Sequence, residues 1–214
     1  WIWTNAPGVM YLTNTGFLQV PNELHLGNDR PQQYEAIVNQ GIISAYGQNY
    51  RTRYFENRGT NFAGANVTVT AEDAKLDDGQ FVVDGNLTFT GGILRMREHA
   101  LDVSSGTLYL DLSTSLGDTG GGANNTIAVG DGFWLMQKPA TGDLLGTRLL
   151  TAVSASRVAD HYWAAEDLGP VGAGFLNNVA IGRLTLSAAV RGKLRFYGVG
   201  SGRALYVDYL ELDI

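Results

Sequence analysis

Six times in its first half the chain places a small polar residue, a spacer and a glycine ahead of two positions, two and four residues further on, that are mostly apolar. The segments are Asn14-Thr15-Gly16 before Leu18 and Val20, Asn39-Gln40-Gly41 before Ile43 and Ala45, and Asn57-Arg58-Gly59 before Asn61 and Ala63. They continue as Asp77-Asp78-Gly79 before Phe81 and Val83, Thr90-Gly91-Gly92 before Leu94 and Met96, and Ser104-Ser105-Gly106 before Leu108 and Leu110. Asn61 breaks the apolar rule. Side chains alternate across a strand, so the two positions share one face, and a face that repeats as Leu, Val, Ile, Phe and Met is a buried one. Asn and Asp bond to their own backbone in turns, and glycine reaches positive φ without steric cost, so Asn14, Gly16, Asn39, Gly41, Asn57, Gly59, Asp77 and Gly79 read as structural turns. Gln19, Ser44, Arg95 and Tyr109 fall on the outer face; Phe62 and Val82 fall there against their chemistry.

A turn-and-strand unit that cannot bury its apolar face alone must stack on neighbouring units. The pattern therefore predicts an all-β chain whose N-terminal part is a β-solenoid of the right-handed β-helix kind. Successive glycines lie 25, 18, 20, 13 and 14 residues apart. The longer intervals suit one three-sided coil at a strand rise of about 3.3 Å per residue. The two short ones suit a two-sided passage or a hairpin, so the regular coil is expected to loosen after Gly79. The alternative is a β-sandwich of antiparallel strands whose turns use Asn and Gly.

The grammar changes at residues 118–125, DTGGGANN, which predicts a boundary between solenoid repeats over 1–117 and an antiparallel β closing region over 118–214. In the second part Phe133-Trp134-Leu135-Met136 is a compact apolar run. The pairs Leu184 and Leu186, Leu194 and Phe196, and Leu205 and Val207 alternate as strands, with residues 198–202 as a loose hairpin connector. Residues 154–167, SASRVADHYWAAED, are the one stretch with a helical look.

With 28 Gly and 5 Pro in 214 residues, the turns are built from glycine. The net charge of −6, with no basic stripe, argues against nucleic acid or an anionic membrane as partner. The absence of cysteine excludes thiolate metal sites, a cysteine nucleophile and disulfides. No apolar run reaches the roughly 18 residues of a membrane span. The chain opens on Trp1-Ile2-Trp3, with neither Met nor a signal sequence, so it is expected to be a processed product or a piece of something longer, with that apolar edge covered by another molecule or by further sequence.

The residues that could carry chemistry are few. Glycosidic cleavage needs two carboxylates about 5–10 Å apart, and of the adjacent acidic pairs only Asp77-Asp78 falls inside the repeat. Neighbours on a strand point to opposite faces, so this pair reads as a turn. His25, His99 and His161 are too scattered for a triad or metal motif, and the chain has no Gly-x-Ser-x-Gly elbow. Asp160-His161-Tyr162-Trp163 is the best of the histidine contexts, as an aromatic pair beside titratable groups that could line a sugar site. Asp118, Asn124, Asn125 and Asp131 surround the glycine link and are the candidate ligands for calcium, a cation that needs several oxygens. Tyr46, Tyr50, Arg51, Arg53 and Tyr54 concentrate rings and guanidinium groups in an acidic protein and, with Trp1 and Trp3, are the candidate ligand or interface residues.

The segments IVNQGIISA and FENRGTNFA resemble repeats of right-handed β-helix surface proteins of the haemagglutinin and autotransporter-passenger type. The stretch from YEAIVNQGIISAYGQNYRTRYFENRGTN through GFLNNVAIGRLTL to ALYVDYLEL resembles more closely an uncharacterised region of very large secreted bacterial proteins, over most of the chain. The resemblance implies an extracellular, adhesive or scaffolding role and carries over no catalytic residue. The Gly-His-Gly and Arg-Ile-Lys segments of polygalacturonase-like β-helices, and the arginine cluster of the lyase-like ones, are absent from this sequence. The expectation is an extracellular structural or adhesive protein, a subunit of a surface layer or filament, without catalysis or cofactor. Its partners would be copies of itself, other surface proteins or polysaccharide. The alternative is a carbohydrate-active β-helix that binds or cleaves polysaccharide.

Overall fold

The computed structural model describes residues 10–27, 34–119 and 124–213. Trp1 and Trp3 lie outside them. The chain winds into a parallel β-solenoid of about nine turns. The coil is plainest between residues 60 and 103. Thr60–Ala63, Gln80–Val83 and Ala100–Val103 stack in parallel as a first side. Val67–Asp77 and Leu87–Arg97 each bend once and supply the other two, residues 67–71 over 87–91 and residues 73–77 over 93–97. Ile42–Asn57 runs round all three sides in one strand. Val, Thr, Ile and Phe alternate through these segments, which suits a pleated surface packed on one face.

The six repeats of the sequence do not stack in one column. Gly16, Gly41, Gly59 and Gly79 occupy the corner between the third and first sides, Gly92 the corner between the second and third, and Gly106 the corner between the first and second. The short spacings of 13 and 14 residues are moves from one corner to the next, and the coil does not loosen after Gly79.

Nor do these four glycines serve the purpose the turn chemistry implied, for none has positive φ. What they provide is room. A Cβ on Gly41 would overlap the carbonyl oxygen of Gly16, one on Gly59 that of Gly41, and one on Gly79 that of Gly59. The same oxygens accept the next amides up the stack, Ile42 N–H to Gly16 at 2.8 Å, Thr60 to Gly41 at 2.9 Å, Gln80 to Gly59 at 2.9 Å and Ala100 to Gly79 at 3.0 Å. The column lets backbone stack on backbone.

Beside the glycines runs a buried polar spine. Asn14 Nδ2 donates to Asn39 Oδ1 at 2.9 Å, and Asn39 Nδ2 to Asn57 Oδ1 at 2.8 Å. Asp77 leaves the file to pair with Arg97 and with Lys75, 3.1 Å away. Asn61 takes up the spine instead. Its Nδ2 donates to Asn57 Oδ1 at 2.6 Å, and its Oδ1 accepts the Tyr50 hydroxyl at 2.9 Å. The single polar break in the apolar pattern thus satisfies a buried amide. Beyond it Asn57 meets His99 Nε2 at 2.9 Å, Asn125 Oδ1 accepts the His99 amide at 3.1 Å, and Asp118 accepts both Asn125 Nδ2 and the Thr147 hydroxyl at 2.6 Å.

Ile43, Phe81, Val83, Leu94, Leu108 and Leu110 are buried in one core as the pattern predicts, and Leu18 and Val20 pack against it half-buried. Phe62 and Val82 do face outward, Phe62 openly. Rings stack through the interior from Tyr50 to Phe55 to Phe81 to Phe89, with centroids 5.0, 6.1 and 6.0 Å apart.

The second half departs from expectation. The described residues between 124 and 213 do not close the solenoid with antiparallel strands; they continue it. Leu144–Val153 pairs in parallel with Ile181–Ala188, and that strand with Val207–Asp213. Pairing also crosses the glycine-rich link, since residues 126–129 lie on 100–103 and residues 132–135 on 107–110. Residues 198–202 are no hairpin connector, because Lys193–Gly198 pairs with Val158–Trp163 below it. Residues 158–163, inside the stretch with a helical look, are that strand. Longer corner loops hid the repeat; the one between Trp163 and Ile181 holds a 3₁₀ turn, Gly172–Phe175. In the last coil the core columns emerge, Leu210 at 54% exposure above Leu184 at 2%, and Leu212 at 59% above Leu186 at 8%.

Gly59→Ala should destabilise the protein by about 1–3 kcal/mol, as overpacking does. Gly16→Ala, whose added Cβ would meet no described neighbour within 4 Å, should change stability little. Equal losses in denaturant melts of the two variants would contradict the close-approach reading. Asn39→Leu should cost about 1–3 kcal/mol by removing the bonds of Asn39 to Asn14, Asn57 and the Gly41 amide, and an unchanged midpoint would count against the spine.

Candidate functional site

Outward positions on the second side form a file with one residue per coil. Register places Thr68 beside Thr88, Thr88 beside Tyr109, Tyr109 beside Trp134, Trp134 beside Tyr162 and Tyr162 beside Tyr197. Hydroxyl side chains thus give way to four consecutive rings. Their centroids lie 4.9, 4.5 and 5.0 Å apart, with interplanar angles of 66°, 58° and 23°. Tyr162 and Tyr197 stack, and Trp134 is turned out of line with both neighbours.

The turn of the indole has a local cause. Trp134 Nε1 donates to the Asp160 carbonyl at 2.9 Å, reaching across Gly132. A Cβ on Gly132 would sit 2.9 Å from that nitrogen and would overlap the Asp160 oxygen. Glycine therefore leaves the space in which the ring lies. Beside the rings, Arg195 grips Asp160 through both carboxylate oxygens at 2.6 and 2.8 Å, and Arg157 holds Asp131 at 2.8 Å. Gln137 donates to Asp111 at 2.6 Å, and the Arg195 guanidinium lies 5.8 Å from the centre of the Tyr197 ring.

The opposite face of the same strands is also aromatic. Phe133 stacks on Trp163 at 4.8 Å, and His161 on Phe196 at 4.8 Å. The sequence motif 160–163 is thereby divided, with Asp160 and Tyr162 outside and His161 and Trp163 in the core. His161 Nδ1 accepts the Phe133 amide and its Nε2 meets the Thr151 hydroxyl, both at 3.3 Å. Burial pushes the His161 pKa down to about 4 and that of His99 down to about 3. Both rings are neutral structural groups near neutral pH.

The other expected residues do not converge. Tyr46, Tyr50, Arg51, Arg53 and Tyr54 follow the bends of one strand. Tyr50 is wholly inside, its hydroxyl on Gln48 and Asn61, while Tyr46 stands 60% exposed on another side. Tyr54 donates to Glu56 at 2.9 Å, and Arg53 pairs with Glu35 at 3.2 Å. Arg51 and Arg53 line a shallow groove with Thr70 and Glu72. Of the four candidate calcium ligands, Asp118 and Asn125 are joined by a hydrogen bond, with Asn124 exposed beside Asn125, and Asp131 lies apart. Asp118 accepts Asn125, Thr147 and the Gly146 amide, a carboxylate surrounded by donors, and Asp131 lies at a different corner, paired with Arg157. Among the described residues no three His, Cys, Asp or Glu side chains cluster to hold an ion. Asp77 is enclosed by Arg97, Lys75 and Arg58, and Asp78 takes the left-handed turn at φ 52°.

The two buried histidines set a pH window. Unfolded, each titrates near 6.5; folded, each stays neutral to about 4 or below. Their contribution is complete above pH 6.5 and is lost as the pH falls from there toward 4, with a limiting slope of about 1.4 kcal/mol per pH unit for each ring. Melting midpoints should fall between pH 6.5 and 4.5, and a flat profile would contradict the burial of both rings.

No family model, curated protein or solved structure matches the chain.

Proposed function

We propose that the chain is a rod-like segment of an extracellular structural or adhesive protein, akin to the repeat regions of large secreted bacterial surface proteins, and that it acts by presenting surfaces rather than by catalysis. What supports this over polysaccharide cleavage is the condition of the carboxylates. Glycosidic cleavage needs one carboxyl group protonated near neutral pH, its pKa raised by an apolar or like-charged setting. Here Asp73 lies against Arg95, the buried Asp77 against Arg97 and Lys75, the buried Glu56 against Arg58, and Asp160 against Arg195. Burial pushes Asp77 and Glu56 up, but hydrogen bonds from Arg97 and Lys75 to the one, and from Arg58 and Tyr54 to the other, hold both below the usual carboxylate range. Glu211 is lowered by bonds from Thr185 and Arg183. Asp77, Glu56 and Glu211 thus stay ionised near neutral pH, each held by its donors.

Association with further copies, as in a surface layer or filament, belongs to the same proposal. Among the described residues no helix is long and apolar enough to cross a membrane.

The test is an assay for new reducing ends and unsaturated sugar products after prolonged incubation with xylan, hydroxyethylcellulose and polygalacturonate. The proposal expects none above a heat-denatured control. Product release that is lost in Asp77→Asn or Asp160→Asn would overturn it.

A further inference from the structure

We infer that the ring file Tyr109, Trp134, Tyr162 and Tyr197 is a docking strip for an extended, uncharged polysaccharide lying along the solenoid axis. The inference rests on the non-catalytic reading above and names the partner that the adhesive surface takes. Three observations carry it.

The first is repetition. Four rings stand in four successive coils, 4.5–5.0 Å apart, so the strip repeats along its length as a polymer does. That step is close to the rise of one pyranose along an extended β-1,4-linked chain, and Thr88 and Thr68 carry the row onward with hydroxyl groups. A sugar ring shows apolar C–H faces and polar edges. Aromatic side chains suit the faces, and fixed hydroxyl, amide and carboxylate groups suit the edges.

The second is preorganisation. Trp134 is pinned by its bond to the Asp160 carbonyl over Gly132, and the strands beneath are stiffened by Phe133 on Trp163 and His161 on Phe196. Rings held this way have little freedom left to lose on binding. Each ring is also partly open to solvent, Tyr197 the most at 39%.

The third is charge. The chain carries a net −6, yet the second side around the rings is balanced. Each acid beside them is engaged, Asp131 by Arg157, Asp160 by Arg195 and Asp111 by Gln137. Such a strip offers no net field to an acidic polysaccharide, a nucleic acid or a charged peptide, and suits an occupant without charge.

The experiment is affinity electrophoresis of the purified chain through gels holding hydroxyethylcellulose, xylan or polygalacturonate, with sedimentation of the free protein in parallel. The inference expects retardation by a neutral polymer that survives 0.5 M salt, roughly, as befits an uncharged contact. It expects apparent affinity to fall about tenfold or more in Trp134→Ala, as at other aromatic hot spots, with part of it restored in Trp134→Phe. Tyr197→Ala, at the most exposed of the four rings, serves if Trp134→Ala fails to fold, and Thr70→Ala, outside the ring file, should bind as the parent does. Retardation by polygalacturonate alone, by no polymer at all, or equally in parent and Trp134→Ala would overturn the inference. So would self-association of the free protein that Trp134→Ala abolishes, since the strip would then be covered by a second copy. Binding and product release are separate readouts: a polymer that binds at the rings and is also cleaved would overturn the non-catalytic reading alone, and a polymer that does not bind would leave that reading standing.

Discussion

At the corner between the third and first sides, backbone rests directly on backbone, and the rest of the molecule follows from that approach. In the first four coils the glycine carbonyl accepts the amide that begins the next coil's strand, at 2.8–3.0 Å, and at Gly41, Gly59 and Gly79 the approach leaves no room for a Cβ. Once the corners stack at that spacing, in-register parallel pairing of all three sides is the arrangement that satisfies the remaining amides. The amides of Asn14, Asn39 and Asn57 turn the same corner into a chain of side-chain bonds. Desolvating that polar chain is tolerable because nearly every member has a partner.

The stacking also determines what the surface can be. In a parallel, in-register solenoid an outward side chain meets the equivalent residue of the next coil about 4.8 Å away, so surface chemistry comes in files. On the third side charged groups pair across neighbouring coils, Arg95 diagonally with Asp73 and Arg97 in register with Asp77. On the second side the file runs from His25 and Asn49 through two threonines to aromatic rings. An ionic file of this kind compensates itself along its length. An aromatic file leaves ring edges and faces for a partner, which is why the second side draws attention as a binding surface.

Much of this was legible in the residues, and the failures have physical reasons. The positions two and four past each glycine identified the core from Ile43 to Leu110, because burial of alternate side chains is a local pattern. The function of the glycine was misread, since a close approach and a left-handed turn select the same residue, and only the neighbouring coil tells them apart. Asp77 looked like another Asn in the turn series, but its charge takes it out to Arg97 and Lys75, leaving Asn61 to carry the spine. The second half was read as antiparallel because its coils are lengthened irregularly, with 25 residues from Tyr109 to Trp134, 28 to Tyr162 and 35 to Tyr197. At such spacings no fixed period aligns the four rings, although the ring in each strand was visible. Tyr50 shows the converse error, since its nearness in sequence to Arg51 and Arg53 says nothing about a side chain that alternation buries.

The central claim is that the glycine corners are structural joints of the same strength as the strands. Native-state amide hydrogen exchange, resolved by residue, tests it most directly. Corner amides of ordinary surface turns exchange early, ahead of the strands they connect. The account predicts that the amides of Ile42, Thr60, Gln80 and Ala100, each bonded to a glycine carbonyl of the coil before, are protected as strongly as those of Val69, Phe81 and Phe89 in the core strands. Exchange at those four amides at the rate of open loops, with the strands still protected, would contradict it.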